Sequence, residues 1–150
     1  MSTMSHDTLL SIDPGKDHCA WAWWEDGGLV ECGRTGSGWS RADGVGRRAR
    51  RTIIELPQVY QQRRWRGDPN DLIQVALTVG ALEYQAQGDV VLVRPHQWKG
   101  SMPKDVMGRR IQGRLSEVER ACVALCGVPA SRRHDVVDAV GIGLWGLGRL

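Results

Sequence analysis

Apolar positions fall into short runs in the first third of the chain and into longer, helix-spaced stretches after it. Leu9, Leu10 and Ile12 punctuate Thr8 to Asp13, which reads as a first strand. His18 to Glu25 reads as a second strand and Leu29 to Arg34 as a third, joined through the Asp26-Gly27-Gly28 turn signal. Gly33 to Arg51 is rich in Gly, Ser and Arg and reads as a loop with room for one short helix. Thr52 to Leu56 is a buried fourth strand. Asp68-Pro69 or Asn70 opens a helix to about Gln87. Its apolar positions, Leu72, Ile73, Val75, Ala76, Leu77, Val79, Ala81 and Leu82, cover most of the circumference, so more than one side should be buried, one face on the sheet and the other against a second subunit.

Asp89 to Arg94 is a fifth strand, and a helix between two such strands implies a parallel crossover. Pro103 should open one long helix to about Cys126, ended by Gly127-Val128-Pro129. A last helix should begin near His134 or Asp135. Its Gly141, Gly143, Gly146 and Gly148 each cost roughly 1 kcal/mol of helix propensity relative to Ala. They are best explained as permitting close approach to the sheet. The whole predicts one α/β domain over residues 1–150, with residues 1–7 expected to be disordered.

At 150 residues one domain with a real core fits. Phe is absent and seven Trp must supply much of the aromatic packing. Neither a signal peptide nor a membrane span is evident, so a cytoplasmic location without membrane attachment is the expectation. None of the four cysteines forms a CxxC or completes a zinc pattern. Cys122 and Cys126 read as small core residues, and Cys19 and Cys32 could face each other across the hairpin.

Charge changes the picture more. Net charge is +3, yet the eight arginines between residues 41 and 66 give that segment +6, leaving −3 for the rest. Arginine grips phosphate bidentately, and such a cluster suits a nucleic-acid backbone, although a solvated basic loop would look the same.

Asp13 ends the first strand just before Pro14-Gly15, and Glu55 ends the fourth. A buried, unpaired carboxylate is costly and wants a cation. Asp135 and Asp138 stand three apart at a helix start and share a face. They also fit ordinary capping, with Asp135 as N-cap and Asp138 near N3. All four can converge on two Mg²⁺ or Mn²⁺ ions roughly 4 Å apart, suited to phosphodiester hydrolysis.

The segments Leu10-Ser11-Ile12-Asp13-Pro14-Gly15, Ile53-Ile54-Glu55-Leu56-Pro57 and His134-Asp135-Val136-Val137-Asp138-Ala139 resemble the RuvC family of Holliday junction resolvases, in the RNase H-like superfamily. The resemblance runs from about Thr8 to Arg149. The segment Arg94 to Lys104, with Arg109-Arg110 after it, looks like compact RuvC-like proteins common in phage genomes. The resemblance implies a five-stranded mixed sheet flanked by helices, a homodimer, and paired symmetric cuts in branched DNA such as a four-way junction, leaving 5′-phosphate and 3′-hydroxyl ends. It implies Asp13, Glu55, Asp135 and Asp138 as metal ligands, with no nucleotide cofactor.

As a family match, Lys99 and Lys104 would contact phosphate near the cut; otherwise they are solvent lysines. DNA phosphates would be held by Arg47, Arg48, Arg50, Arg51, Arg63, Arg64, Arg66, Arg109 and Arg110. Gln58 stands near the place of the family's junction-stacking aromatic, for which Tyr60 or Trp65 could substitute; both could equally be packing aromatics. His134 could tune a metal or touch phosphate, or simply stand at the helix entry. Trp98 is expected to anchor its turn. Two rival readings remain: an RNase H-like nuclease on flaps, forks or RNA, and a non-catalytic junction-binding module.

Overall fold

A computed structural model describes residues 6–59 and 67–150. Residues 1–5, and with them most of the expected disordered tail, lie outside the described residues, as do Tyr60, Arg63, Arg64, Trp65 and Arg66. His6 and Asp7 both bond to the Asp26 carboxylate, at 2.8 and 3.0 Å.

Five strands form one mixed sheet: β1 (Thr8–Pro14), β2 (Cys19–Glu25), β3 (Gly28–Arg34), β4 (Arg51–Glu55) and β5 (Asp89–Val93). Their order across the sheet is β3-β2-β1-β4-β5. The first three pair antiparallel, while β4 lies parallel to both β1 and β5. Asp26 and Gly27 take φ of 50° and 84°, the left-handed pair that a tight β2–β3 turn requires. The described residues also form five helices: α1 (Pro69–Gln85), between β4 and β5, and then α2 (Pro95–Lys99), α3 (Lys104–Arg114), α4 (Glu117–Ala124) and α5 (Arg133–Gly146), the last preceded by a 3₁₀ turn.

Alternation along the strands sorts side chains into two layers. Leu9 and Ile53 join the core under α3, α4 and α5, whereas Leu10, Ile12 and Ile54 pack with Val79 and Leu82 of α1 on the other face. Asp68 caps α1 by accepting from Asn70 N at 2.9 Å, with Pro69 in the first turn. The segment 35–50 contains no helix. It is pinned over α1 by Arg41 donating to Thr78 Oγ1 and by Gln85 donating to two loop carbonyls.

Two expectations need correction. The helix foreseen from Pro103 to Cys126 is two helices, because Leu115 turns extended and Ser116 starts a new one. Ser116 Oγ accepts from Glu119 N, and Glu119 Oε1 accepts from Ser116 N, a reciprocal cap that satisfies the backbone donors at the break. Cys19 and Cys32 do not face each other. Register places Cys32 opposite Ala22, on the α5 side, while Cys19 points into the α1 layer. α1 buries Thr78, Val79 and Leu82 but exposes Ile73, Leu77 and Tyr84, so within one chain only one side is covered.

The glycines of α5 do what their spacing suggests. A Cβ on Gly143 would come within 2.3 Å of the Trp24 indole, and one on Gly146 within 2.2 Å of Ile53 Cδ1. The helix therefore lies backbone-first on the sheet. Ser11 Oγ donates to Ala139 O at 2.7 Å and accepts from Trp24 Nε1 at 3.1 Å, so the buried polar atoms of this contact satisfy one another. At the far end, Arg149 forms an ion pair with buried Glu119 at 2.7 Å, and Glu119 also accepts from Leu29 N. These partners hold the Glu119 carboxyl down at about 2.

Gly143→Ala should destabilise the fold by about 1–3 kcal/mol, since the rigid indole cannot yield. Gly80→Ala, on the open side of α1 where nothing lies within 4 Å, should be neutral or gain up to about 1 kcal/mol. Urea unfolding midpoints of the two variants check this contrast.

Candidate metal and nucleic-acid site

Asp13 stands one residue before the end of β1, and Glu55 is the last residue of β4. The parallel register pairs Ser11 with Ile53 and Ile12 with Ile54, so its next step sets Asp13 beside Glu55. Both belong to the strand positions that face α5. That helix runs back along the sheet: Gly146 lies by Leu9 and Ile53, and Gly143 by Trp24, which leaves the start of α5 over the strand ends. The Ser11–Ala139 bond fixes the neighbouring Asp138 there. Asp135 is the third residue of α5, not its N-cap; Arg132 holds the N-cap position and makes no side-chain cap bond. The capping explanation of the pair therefore lapses.

The acids lie within reach of one another's charge. Burial pushes Asp13 well above the usual carboxylate range, and Glu55, Asp138 and Asp135 push further, opposed by Lys99. Burial likewise raises Glu55, against a hydrogen bond from Trp98 and the charge of Lys99. It raises Asp138, against Lys99 and Lys104. Thus the four acids and both lysines share one neighbourhood. Among the described residues, however, no group of three or more His, Cys, Asp or Glu is arranged, as it stands, to hold a metal ion. Two of the carboxylates also engage other partners: Glu55 Oε2 accepts from Trp98 Nε1, and Asp135 Oδ1 lies 3.1 Å from His134 Nε2. The donor set itself fits a divalent ion. It is all carboxylate oxygen, partly desolvated and short of positive charge, which hard cations such as Mg²⁺ and Mn²⁺ prefer.

A cleft of about 340 Å³ opens beside Asp13 and Asp135 and is also lined by Arg34 and Arg132. Sequence reasoning passed over both arginines. Hairpin register could have found Arg34: Asp13 pairs with Ala20 and Ala20 with Arg34, one row across three strands. At strand spacing that places Arg34 about 10 Å from Asp13 along the row. Trp98 was seen only as a turn anchor. Since Glu55 pairs with Val93, a donor just past β5 falls naturally beside the Glu55 carboxylate.

The arginines expected to bind nucleic acid are dispersed. Arg51 opens β4 and donates to Gly146 O at 3.1 Å, four residues or about 13 Å of strand from Glu55. Arg50 adjoins it, its backbone N–H donating to Thr8 Oγ1. Arg47 pairs with Glu31 and covers Trp21 and Trp23, 5.1 and 5.4 Å from the ring centres. Arg48 is exposed and lines a hollow of about 390 Å³ beneath the 35–50 loop. Arg109 and Arg110 are exposed on α3; Arg109 lies 3.7 Å from Asp105, and Arg110 borders the turn after Lys99.

Comparison by shape is decisive for the fold. Thermus thermophilus RuvC, in complex with Holliday junction substrate, superposes with a TM-score of 0.57 at 18% identity, over 92% of this chain and 91% of that one. The chain has the RuvC fold. A second T. thermophilus RuvC structure gives 0.55 at 16% identity, covering 92% of each chain. The yeast mitochondrial Holliday junction resolvase gives 0.52 at 12%, over 93% of this chain and 78% of that one. No protein-family model matches, and no curated protein matches by sequence. The expected RNase H-like mixed sheet is thus present, in its RuvC form. Among the described residues no helix is long and apolar enough to cross a membrane.

Without divalent metal, Asp13→Asn should raise the unfolding midpoint at pH 7. Native Asp13 resists ionisation, while in the unfolded chain it ionises from about its ordinary value of 3.8, so rising pH destabilises the unsubstituted protein. The gain should shrink on acidification and vanish below 3.8, where both states are protonated. Thermal denaturation across this range measures it.

Proposed function

We propose that this RuvC-like chain is a metal-dependent, structure-selective endonuclease that resolves Holliday junctions and related branched DNA. The observation that carries the reading is the gathering of Asp13, Glu55 and Asp138, desolvated and mutually repelling, with Asp135 at the mouth of a cleft. A fold does not keep such a group for stability; a module that only bound DNA would be hindered by it.

Asp13, Glu55, Asp135 and Asp138 would hold two Mg²⁺ or Mn²⁺ ions. When bound, the ions supply a nucleophile from water at neutral pH and neutralise charge on the attacked phosphate and its leaving oxygen. The chain's own residues do the rest. Lys99 and Lys104 lie close enough to Asp138 to act on its charge, and they would offset charge on a phosphate drawn toward it. Arg34 and Arg132 supply guanidinium groups on the cleft wall for phosphates flanking the cut. Gly15 keeps the turn after Asp13 bare, since a Cβ there would come 2.5 Å from His18 O. The product ends would be 5′-phosphate and 3′-hydroxyl.

Two symmetric cuts need two sites. The exposed stripe Ile73, Leu77 and Tyr84 on α1 supports pairing of two copies into a homodimer.

The test is cleavage of a labelled four-way junction, Y-fork, flap, duplex and RNA–DNA hybrid with Mg²⁺ or Mn²⁺. Paired nicks in the junction are expected, with little cutting of plain duplex. Asp13→Asn should lower the rate by more than about a hundredfold, the loss that outer-shell changes alone can reach, while junction binding in a gel shift persists. Preference for the hybrid or the flap would favour the RNase H-like alternative. Undiminished cleavage by Asp13→Asn would remove the site assignment.

A further inference from the structure

Trp98 is 4% exposed, and its indole Nε1 donates to Glu55 Oε2. An indole N–H is a donor only. It can neither ligate a cation nor replace one. By engaging Oε2 it fixes the orientation of the Glu55 carboxylate.

The ring is held on further sides. The Lys99 ammonium lies 5.1 Å from the ring centre. On α5, a Cβ at Gly141 would come 2.6 Å from Trp98 Cζ3, so the indole rests on bare helix backbone. Gly141 follows Asp138 by three residues and shares its side of the helix. One rigid, buried ring therefore touches the strand end that bears Glu55 and the helix that bears Asp138, with Lys99 over its face.

We propose that Trp98 is a positioning residue for the metal site: its N–H fixes the orientation in which Glu55 is presented, and its ring braces the end of β4 against α5. This rests on the metal-site reading above. Donors behind a metal ligand fix the ligand's orientation, and losing one commonly weakens metal binding 10–100-fold.

The test is Mn²⁺ binding to the full metal-free chain, measured by titration calorimetry. Trp98→Phe, which keeps an aromatic ring and removes the N–H, should weaken Mn²⁺ binding by about tenfold or more. Glu55→Gln should weaken it too, and adding Trp98→Phe to Glu55→Gln should cost almost nothing further. Unchanged affinity in Trp98→Phe, or fully additive losses in the double variant, would overturn the proposal while leaving the metal site standing. No Mn²⁺ binding by the unsubstituted chain would overturn the metal site and the proposal together. A measurement on the unsubstituted chain guards against a Phe variant that folds poorly. The ¹⁵N indole resonance of Trp98 should exchange slowly with solvent and shift when Mg²⁺ is added. An indole resonance that ignores Mg²⁺ would also overturn the proposal.

Discussion

The seating of α5 on the sheet is the constraint from which the rest follows. Gly143 and Gly146 let the helix approach Trp24 and Ile53 at distances no side chain would allow. Ser11 then closes the contact through its bond to Ala139 O. Ser11 lies two residues before Asp13, and Ala139 one residue after Asp138. The same packing that forms the core thus sets a helical carboxylate over a strand-end carboxylate. Intrinsically the glycines weaken the helix, and burial of the α5 face against the sheet offsets that cost.

The molecule treats its desolvated acids in two ways. Glu119, which ties α4 to β3 and to the chain end, has an arginine and two backbone donors, and it stays ionised down to about pH 2. Asp13, Glu55 and Asp138 are left short of partners, and burial raises all three. The difference lies in the site rather than in a general tolerance of buried charge. Lys99 and Lys104 supply some compensation, Trp98 supplies a neutral donor, and the remaining deficit is what a divalent cation would fill.

Much of this was legible in the sequence. Strand alternation and the turn signals located Asp13 and Glu55 at strand ends, and the glycine spacing of α5 announced a close approach. What escaped depends on which elements become neighbours. Trp98 meets Glu55 only because β5 pairs with β4, and Arg34 joins the Asp13 row only through two antiparallel registers. The break at Ser116 was a different failure. The Ser-x-x-Glu signal is present, but Leu115, Val118, Ala121, Cys122 and Leu125 fall at helical spacing across it and argue for one helix. The fold spreads the basic segment, since Arg47 lies at the sheet's edge beside Glu31 and Arg51 at the end of β4 away from Glu55.

The most direct measurement is the anomalous scattering of a crystal of the chain soaked in Mn²⁺. The account predicts peaks within ligand distance, about 2.1 Å, of carboxylate oxygens of Asp13 and Asp138, with Glu55 or Asp135 completing the set. Absence of manganese from this cluster while it occupies other sites would contradict the account.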